Sequence, residues 1–380
     1  MEIRKINISE PVMGEEEWNA LREPLSTGWL TQGPKVREFE RLFAHRHQVK
    51  HAIAVTSCTT ALHLSLLALG IKPEDEVIVP AFTWVSTANA VLYCGATPVF
   101  ADISPDTFNI EPAEIRKKLT SRTKAIIAVH LFGLCADVDA IKAAAPGIPV
   151  VEDGACAAGA SYKGKPCGGL GAIACFSFHP RKSITTGEGG MITTDNDDLA
   201  KKADVLRNHG ASVSEEQRHR GAKPYLLPEF DVVGYNYRMT DLQGALGIVQ
   251  LGKLDIFINE RNRWADFYRN HLKDITWLIT PKTPDGHGHG WQAFVTMVDE
   301  ASGPMKRNEL MEYLLHKGIH TRPGTHAVHM LGYYSRKYGI QPSDFPHARE
   351  ANDKSMALPL HNKMSQEDYE YIVETLKSIG

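Results

Sequence analysis

Ala125-Ile126-Ile127-Ala128-Val129 is an unbroken apolar run with no polar residue at alternate positions. A strand with one wet face alternates; a strand buried on both faces does not. Comparable short runs occur at residues 51–55, 76–79, 97–101, 149–152 and 173–178, with the central one covering 124–130. Between them the apolar spacing is helical, at 59–69, 85–94, 112–119 and 137–145. Strand and helix alternating in this way predict an α/β fold with a mainly parallel sheet and helices on both faces. Ligands of such sheets sit beyond the carboxyl ends of the strands. The residues that follow each run are therefore the candidates for function.

A chain of 380 residues exceeds what a single hydrophobic core usually holds. The pattern predicts a large domain over 1–250 and a smaller C-terminal α+β domain over 251–380. The latter would hold a strand at 293–298, a helix at 306–317 and a closing helix at 366–378. Residues 198–240 are polar and read as loop-rich around 211–230, and 241–272 read as helical. A net charge of −3 without a long basic run argues against nucleic acid and membrane surfaces as partners. No apolar stretch reaches the ~18 residues of a transmembrane candidate. The first residues lack the apolar core of a signal peptide, so a cytoplasmic location is expected. The six cysteines form no Cys-x-x-Cys pair and read as reduced, mostly buried thiols. His287-Gly288-His289 lies in a Gly-rich stretch and is not read as a metal site.

Four strand ends carry residues with chemistry. After the first run, Ser57-Cys58-Thr59-Thr60 leads into a helix; its hydroxyls suit plain N-capping or, with the free N–H groups, a phosphate. Trp84 follows the second run and suits core packing or stacking on a flat ring. Asp153 ends the run at 149–152 and suits a helix cap, a surface acid or a partner for a protonated ring nitrogen. Lys182 follows the run at 173–178 and precedes Thr185-Thr186-Gly187-Glu188-Gly189-Gly190. A lysine held there, desolvated and with a lowered pKa, would suit Schiff-base chemistry. Ser177, five residues earlier, offers a second phosphate contact.

Together these segments resemble the DegT/StrS-type sugar aminotransferases, fold-type I enzymes of pyridoxal phosphate. The resemblance runs nearly end to end. It includes Gly28-Trp29-Leu30-Thr31-Gln32-Gly33-Pro34, Pro80-Ala81-Phe82-Thr83-Trp84, Glu152-Asp153-Gly154-Ala155, Ser177-Phe178-His179-Pro180-Arg181-Lys182 and Gly234-Tyr235-Asn236-Tyr237-Arg238-Met239-Thr240. It implies that residues 1–250 bind pyridoxal 5'-phosphate. Lys182 would form the Schiff base and move the proton, Asp153 would pair with the pyridine nitrogen, and Trp84 would stack on the ring. Thr59, Thr60 and Ser177 would bind the phosphate. Asn236 would reach the phosphate in the neighbouring subunit, so a homodimer with shared active sites is implied. Arg238, His326 and His329 are weaker candidates for substrate contacts; residues 320–329 would lie near the sugar or nucleotide, where the histidines and Arg322 could meet a diphosphate.

The implied reaction converts a nucleotide-linked keto sugar to the amino sugar with glutamate as donor. The Thr-Thr-Gly-Glu-Gly-Gly turn points to a 4-keto-6-deoxy hexose, as in perosamine synthases. The alternatives are amination at carbon 3, a keto-cyclitol substrate, or a non-enzymatic cofactor-binding regulator. A dehydratase of the family would carry His in place of Lys182. One departure stands out: Cys156 occupies the position where the family usually has Gln, His or Glu near the ring hydroxyl. A thiol is a poor hydrogen-bond donor there.

Overall fold

The computed structural model describes residues 4–213, 225 and 227–379. Its central sheet has seven strands: β1 (His51–Val55), β2 (Glu76–Pro80), β3 (Thr97–Ala101), β4 (Thr123–Val129), β5 (Val150–Asp153), β6 (Ile173–Ser177) and β7 (Gly190–Thr194). The spatial order is β1-β7-β6-β5-β4-β2-β3. Every neighbouring pair is parallel except those of β7, which runs antiparallel to both β1 and β6. The six expected strands form within a residue or two of their predicted limits. β7 was not expected: the turn was read as far as Gly190, and no element was read after it. It is nonetheless buried throughout. Its hydroxyls are satisfied internally: Thr193 Oγ1 donates to the Gly168 carbonyl at 2.7 Å and Thr194 Oγ1 to that of Ala172 at 2.8 Å.

Alternate residues of the strands feed two cores. Ile127, Val129, Val151 and Ile192 pack on one face with Leu62, Leu64 and Leu66. Ile126, Ala128, Val150 and Met191 pack on the other with Phe39, Phe43 and Ile141. The helices that deliver these residues are α1 (Pro34–Arg46), α2 (Cys58–Ala68) and α4 (Val138–Ala144), with α3 (Ser86–Tyr93) and α5 (Asp197–Arg207) adding to the first face. Helices α1 and α5 were not predicted; both are short amphipathic segments with many charged residues. The loop expected around 211–230 falls largely outside the described residues.

Helix α6 (Asp241–Leu272) starts at a capping box on Thr240, whose hydroxyl accepts the Gln243 N–H at 3.3 Å. Its first half contributes Leu251, Leu254 and Ile258 to the second core, and its second half gives Trp264, Tyr268 and Leu272 to a third. The residue 250 boundary expected from sequence thus falls inside one continuous helix. The third core also holds an antiparallel sheet of β8 (Leu278–Ile279), β9 (Phe294–Val298) and β10 (Ser355–Leu358), in the order β8-β9-β10. Helices α7 (Arg307–His316) and α8 (Gln366–Lys377) cover it. From this part of the chain His326–Ala327 reaches back and pairs with Phe82–Thr83, directly before Trp84.

Candidate active site

A cavity of about 420 Å³ opens past the carboxyl ends of β4, β5 and β6, where parallel sheets place their ligands. Val129, Asp153 and Ser177 reach it from those ends. Ser57, Cys58 and Thr59 reach it from the start of α2, and residues 322–326 close it from the C-terminal part.

Lys182 lies on the loop between β6 and β7, and the loop is tied down. The Lys182 N–H donates to the His179 carbonyl at 2.9 Å, and the Arg181 N–H to His179 Nδ1 at 3.2 Å. On the return side the Thr186 N–H and Thr185 Oγ1 both donate to the Phe178 carbonyl, at 3.0 and 2.8 Å. The loop hands over to β7 at Gly190. A Cβ there would stand 2.4 Å from the Ser57 carbonyl carbon, so only glycine lets β7 begin against the start of α2. Lys182 Nζ donates to Cys156 Sγ at 3.2 Å. The expected lowered pKa is not found. Burial works against the ammonium, but Cys156, Cys58 and Asp153 around it outweigh that and hold the pKa above the ordinary lysine value.

Asp153 is buried, and its carboxylate is aimed. Oδ2 accepts Thr87 Oγ1 at 2.9 Å, Oδ1 accepts the Ala155 N–H at 3.2 Å, and the Cys58 thiol points to Oδ1 at 3.8 Å. Thr87 Oγ1 in turn pairs with Thr83 Oγ1 at 3.1 Å. Each added donor helps to fix the carboxylate's rotamer.

At the start of α2, Ser57 Oγ accepts the Thr60 N–H at 3.2 Å, while Thr60 Oγ1 donates to the Ser57 carbonyl at 2.8 Å and accepts the Ser57 N–H at 3.0 Å. The Thr60 hydroxyl is consumed in this cap, and Thr60 does not line the cavity. Among the described residues, the N–H groups of Cys58 and Thr59 meet no acceptor. They are the orphan donors of a helix start and carry its partial positive charge.

Of the residues singled out in the sequence, Lys182, Asp153, Trp84, Thr59, Ser177 and His326 line this one cavity. Trp84 is 56% exposed, with its ring 5.4 Å from that of His326. Besides Thr60, three others do not line it. Asn236 is exposed and its backbone bridges Asn208. Arg238 Nη1 donates to Asn208 Oδ1 at 2.8 Å. His329 is fully buried, its ring 4.8 Å from that of Phe345, which removes it as a substrate contact within this chain. Sequence reasoning missed Thr87 and Cys58, which aim Asp153 from 66 and 95 residues away. It also left Arg181 without a role. The only signal for Thr87 was its place one turn after Trp84.

These residues fit pyridoxal phosphate. The open amides of Cys58 and Thr59, with the Thr59 and Ser177 hydroxyls nearby, suit a phosphate. The oriented carboxylate of Asp153 suits a protonated ring nitrogen, and the exposed face of Trp84 suits a flat ring.

A family model described as the DegT/DnrJ/EryC1/StrS aminotransferase family matches residues 11–377. The chain is 41% identical over 378 residues to the spore coat polysaccharide biosynthesis protein SpsC of Bacillus subtilis, covering 98% of this chain and 96% of that one. The structure superposes on the PLP-form of the putative sugar aminotransferase Spr1654 from Streptococcus pneumoniae with a TM-score of 0.91 and 29% identity, over 99% of this chain and 98% of that chain. It superposes on DesI, solved in the presence of its TDP-sugar product, with a TM-score of 0.89 and 30% identity, over 99% and 93% of the two chains.

Proposed function

The chain belongs to the DegT/DnrJ/EryC1/StrS aminotransferase family and is a pyridoxal phosphate-dependent sugar aminotransferase, and we propose that it moves the amino group of glutamate onto a nucleotide-linked 4-keto-6-deoxy sugar. The observation that carries this reading is the convergence of Lys182, Asp153 and the open amides of α2 on one cavity. When bound, the cofactor supplies a carbonyl that accepts the amino group and a ring that stabilises charge on the reacting carbon. The chain's own residues do the rest. Asp153, held by Thr87 and Ala155, would pair with the ring nitrogen. Cys58 and Thr59 N–H groups, with the Thr59 and Ser177 hydroxyls, would receive the phosphate. Lys182 Nζ would hold the cofactor, take the proton from the donor's α-carbon and later return one to the sugar carbon.

The nucleotide-linked substrate is supported by the TDP-sugar product of DesI. Amination at carbon 4 is supported by the turn at 185–190, which has the form commoner among carbon-4 enzymes of the family. Asn236 is exposed and outside the cavity, which leaves it free for a neighbouring subunit and supports the homodimer with shared active sites that we propose. A cytoplasmic location agrees with the described residues having no helix long and apolar enough to cross a membrane.

The test is spectroscopic. Protein loaded with pyridoxal phosphate should show the visible band of lysine-bound cofactor, absent in Lys182→Ala. Glutamate should bleach it, and the correct nucleotide-linked keto sugar should restore it. A band unchanged by glutamate excludes that donor. Restoration only by a 3-keto sugar would move amination to carbon 3.

A further inference from the structure

Two arginines 141 positions apart line one cavity, and among the described residues neither is ion-paired. Arg181 precedes Lys182; its carbonyl accepts Gln292 Nε2 at 2.9 Å, which ties the loop to the C-terminal part. Arg322 is bridged to β10 through Ala357, whose N–H donates to the Arg322 carbonyl at 2.7 Å. Both backbones are therefore fixed, and both side chains line the cavity. Among the described residues, neither guanidinium is engaged in an ion pair or hydrogen bond. Of the carboxylates lining the cavity, Asp153 is turned to Thr87 and Ala155, and Glu188 is bonded to neither arginine. Burial, and then the facing charge of Arg181, depress the pKa of Arg322. Arg181 is exposed and Arg322 partly buried, and the repulsion between the two like charges is relieved by an anion bound at both.

We propose that Arg181 and Arg322 form an anion subsite that holds the negatively charged group of a reactant beside Lys182. The identity of the reactants rests on the aminotransferase reading; the subsite itself rests on the two arginines. Planar guanidiniums offer paired N–H groups that match a carboxylate or a phosphate. The anion is therefore either the carboxylate of the amino donor or the diphosphate of the nucleotide sugar. In a reaction of two half-steps, these occupy the cavity in turn.

The test uses two anions that cannot react: glutarate, a dicarboxylate without an amine, and inorganic pyrophosphate. Their binding to full-length protein loaded with pyridoxal phosphate is measured by calorimetry, for the wild type, Arg181→Gln, Arg322→Gln and Arg181→Lys. The visible cofactor band and the thermal midpoint serve as checks that each variant is folded and loaded. Wild-type binding of either anion, weakened about tenfold or more in both Gln variants, supports the subsite. Selective loss of glutarate assigns it to the donor carboxylate; selective loss of pyrophosphate assigns it to the diphosphate. Arg181→Lys should keep part of the affinity through its charge. If the wild type binds neither anion, or if the Gln variants bind as the wild type does, the proposal is overturned. Calorimetry does not depend on bleaching by glutamate, so failure of the proposed donor would show separately in the spectra.

Discussion

Glu152 and Asp153 are consecutive acids on β5, and they face opposite sides of the sheet. Glu152 is fully buried and saturated. Its Oε1 accepts the N–H groups of Leu170 and Gly171 at 2.7 and 2.6 Å, and its Oε2 accepts that of Gly168 at 2.9 Å and His130 Nε2 at 3.0 Å. His130 Nδ1 in turn accepts the Ala136 N–H at 3.0 Å. Cys135 and Cys167 bring their sulfurs within 4.8 Å of a His130 ring nitrogen, a trio with metal-ligand chemistry. Both nitrogens of that ring are already engaged, so the cluster is closed. Asp153 stands instead in a cavity beside an amine, a thiol and two amides with unused bonding capacity. A saturated polar cluster holds a fold together, whereas an unsaturated one is prepared for a ligand.

The largest effect that would test this contrast is on activity. Lys182→Ala should reduce transamination below detection without lowering the thermal midpoint, since no structural bond depends on its ammonium beyond the contact with Cys156. Next, the two acids should separate cleanly. Glu152→Ala should cost about 3–5 kcal/mol in denaturant titration, because it strands three buried backbone N–H groups and the buried Nε2–H of His130. Asp153→Asn should change stability by no more than ~1 kcal/mol but lower kcat by about 10²-fold or more, as the charge opposite the ring nitrogen is lost. A large stability loss in Asp153→Asn with intact activity would reverse the assignment. A smaller effect is expected of Thr87→Val, which removes one donor to the carboxylate: about tenfold in activity, with the cofactor band displaced.

The contrast also explains what was legible in the sequence. The strands were visible because double-sided burial leaves unbroken apolar runs, and Asp153 and Lys182 were visible because they sit just past such runs. β7 was hidden because Thr193 and Thr194 satisfy their hydroxyls on Gly168 and Ala172, contacts that no local pattern announces. His326 could be suspected only from its segment; its place depends on pairing with Thr83, 243 positions earlier. Thr60 and His329 were assigned too much, since one hydroxyl closes a helix cap and one ring fills a core. The local half of the site, near Lys182, was readable from its strand; the segment that carries Arg322 was suspected only through the resemblance, because it arrives by the pairing of His326–Ala327 with Phe82–Thr83.

The smallest effect is in the pH dependence of stability, and its sign follows from the closed cluster. Burial alone would raise the pKa of Glu152, but His130 and the Gly171 and Gly168 amides outweigh it and lower the value below 4.5. A lowered carboxylate pKa contributes stability above 4.5 that is lost as pH falls through the folded value. His130 accepts the Ala136 N–H at Nδ1, so its ring is the neutral tautomer that donates from Nε2 to Glu152, and the titrating group of the cluster is the carboxylate. In Glu152→Gln that group cannot titrate, and denaturant midpoints measured from about pH 7 down to about pH 3 should lose this part of the acid decline. An acid decline unchanged in Glu152→Gln would place the titrating group elsewhere.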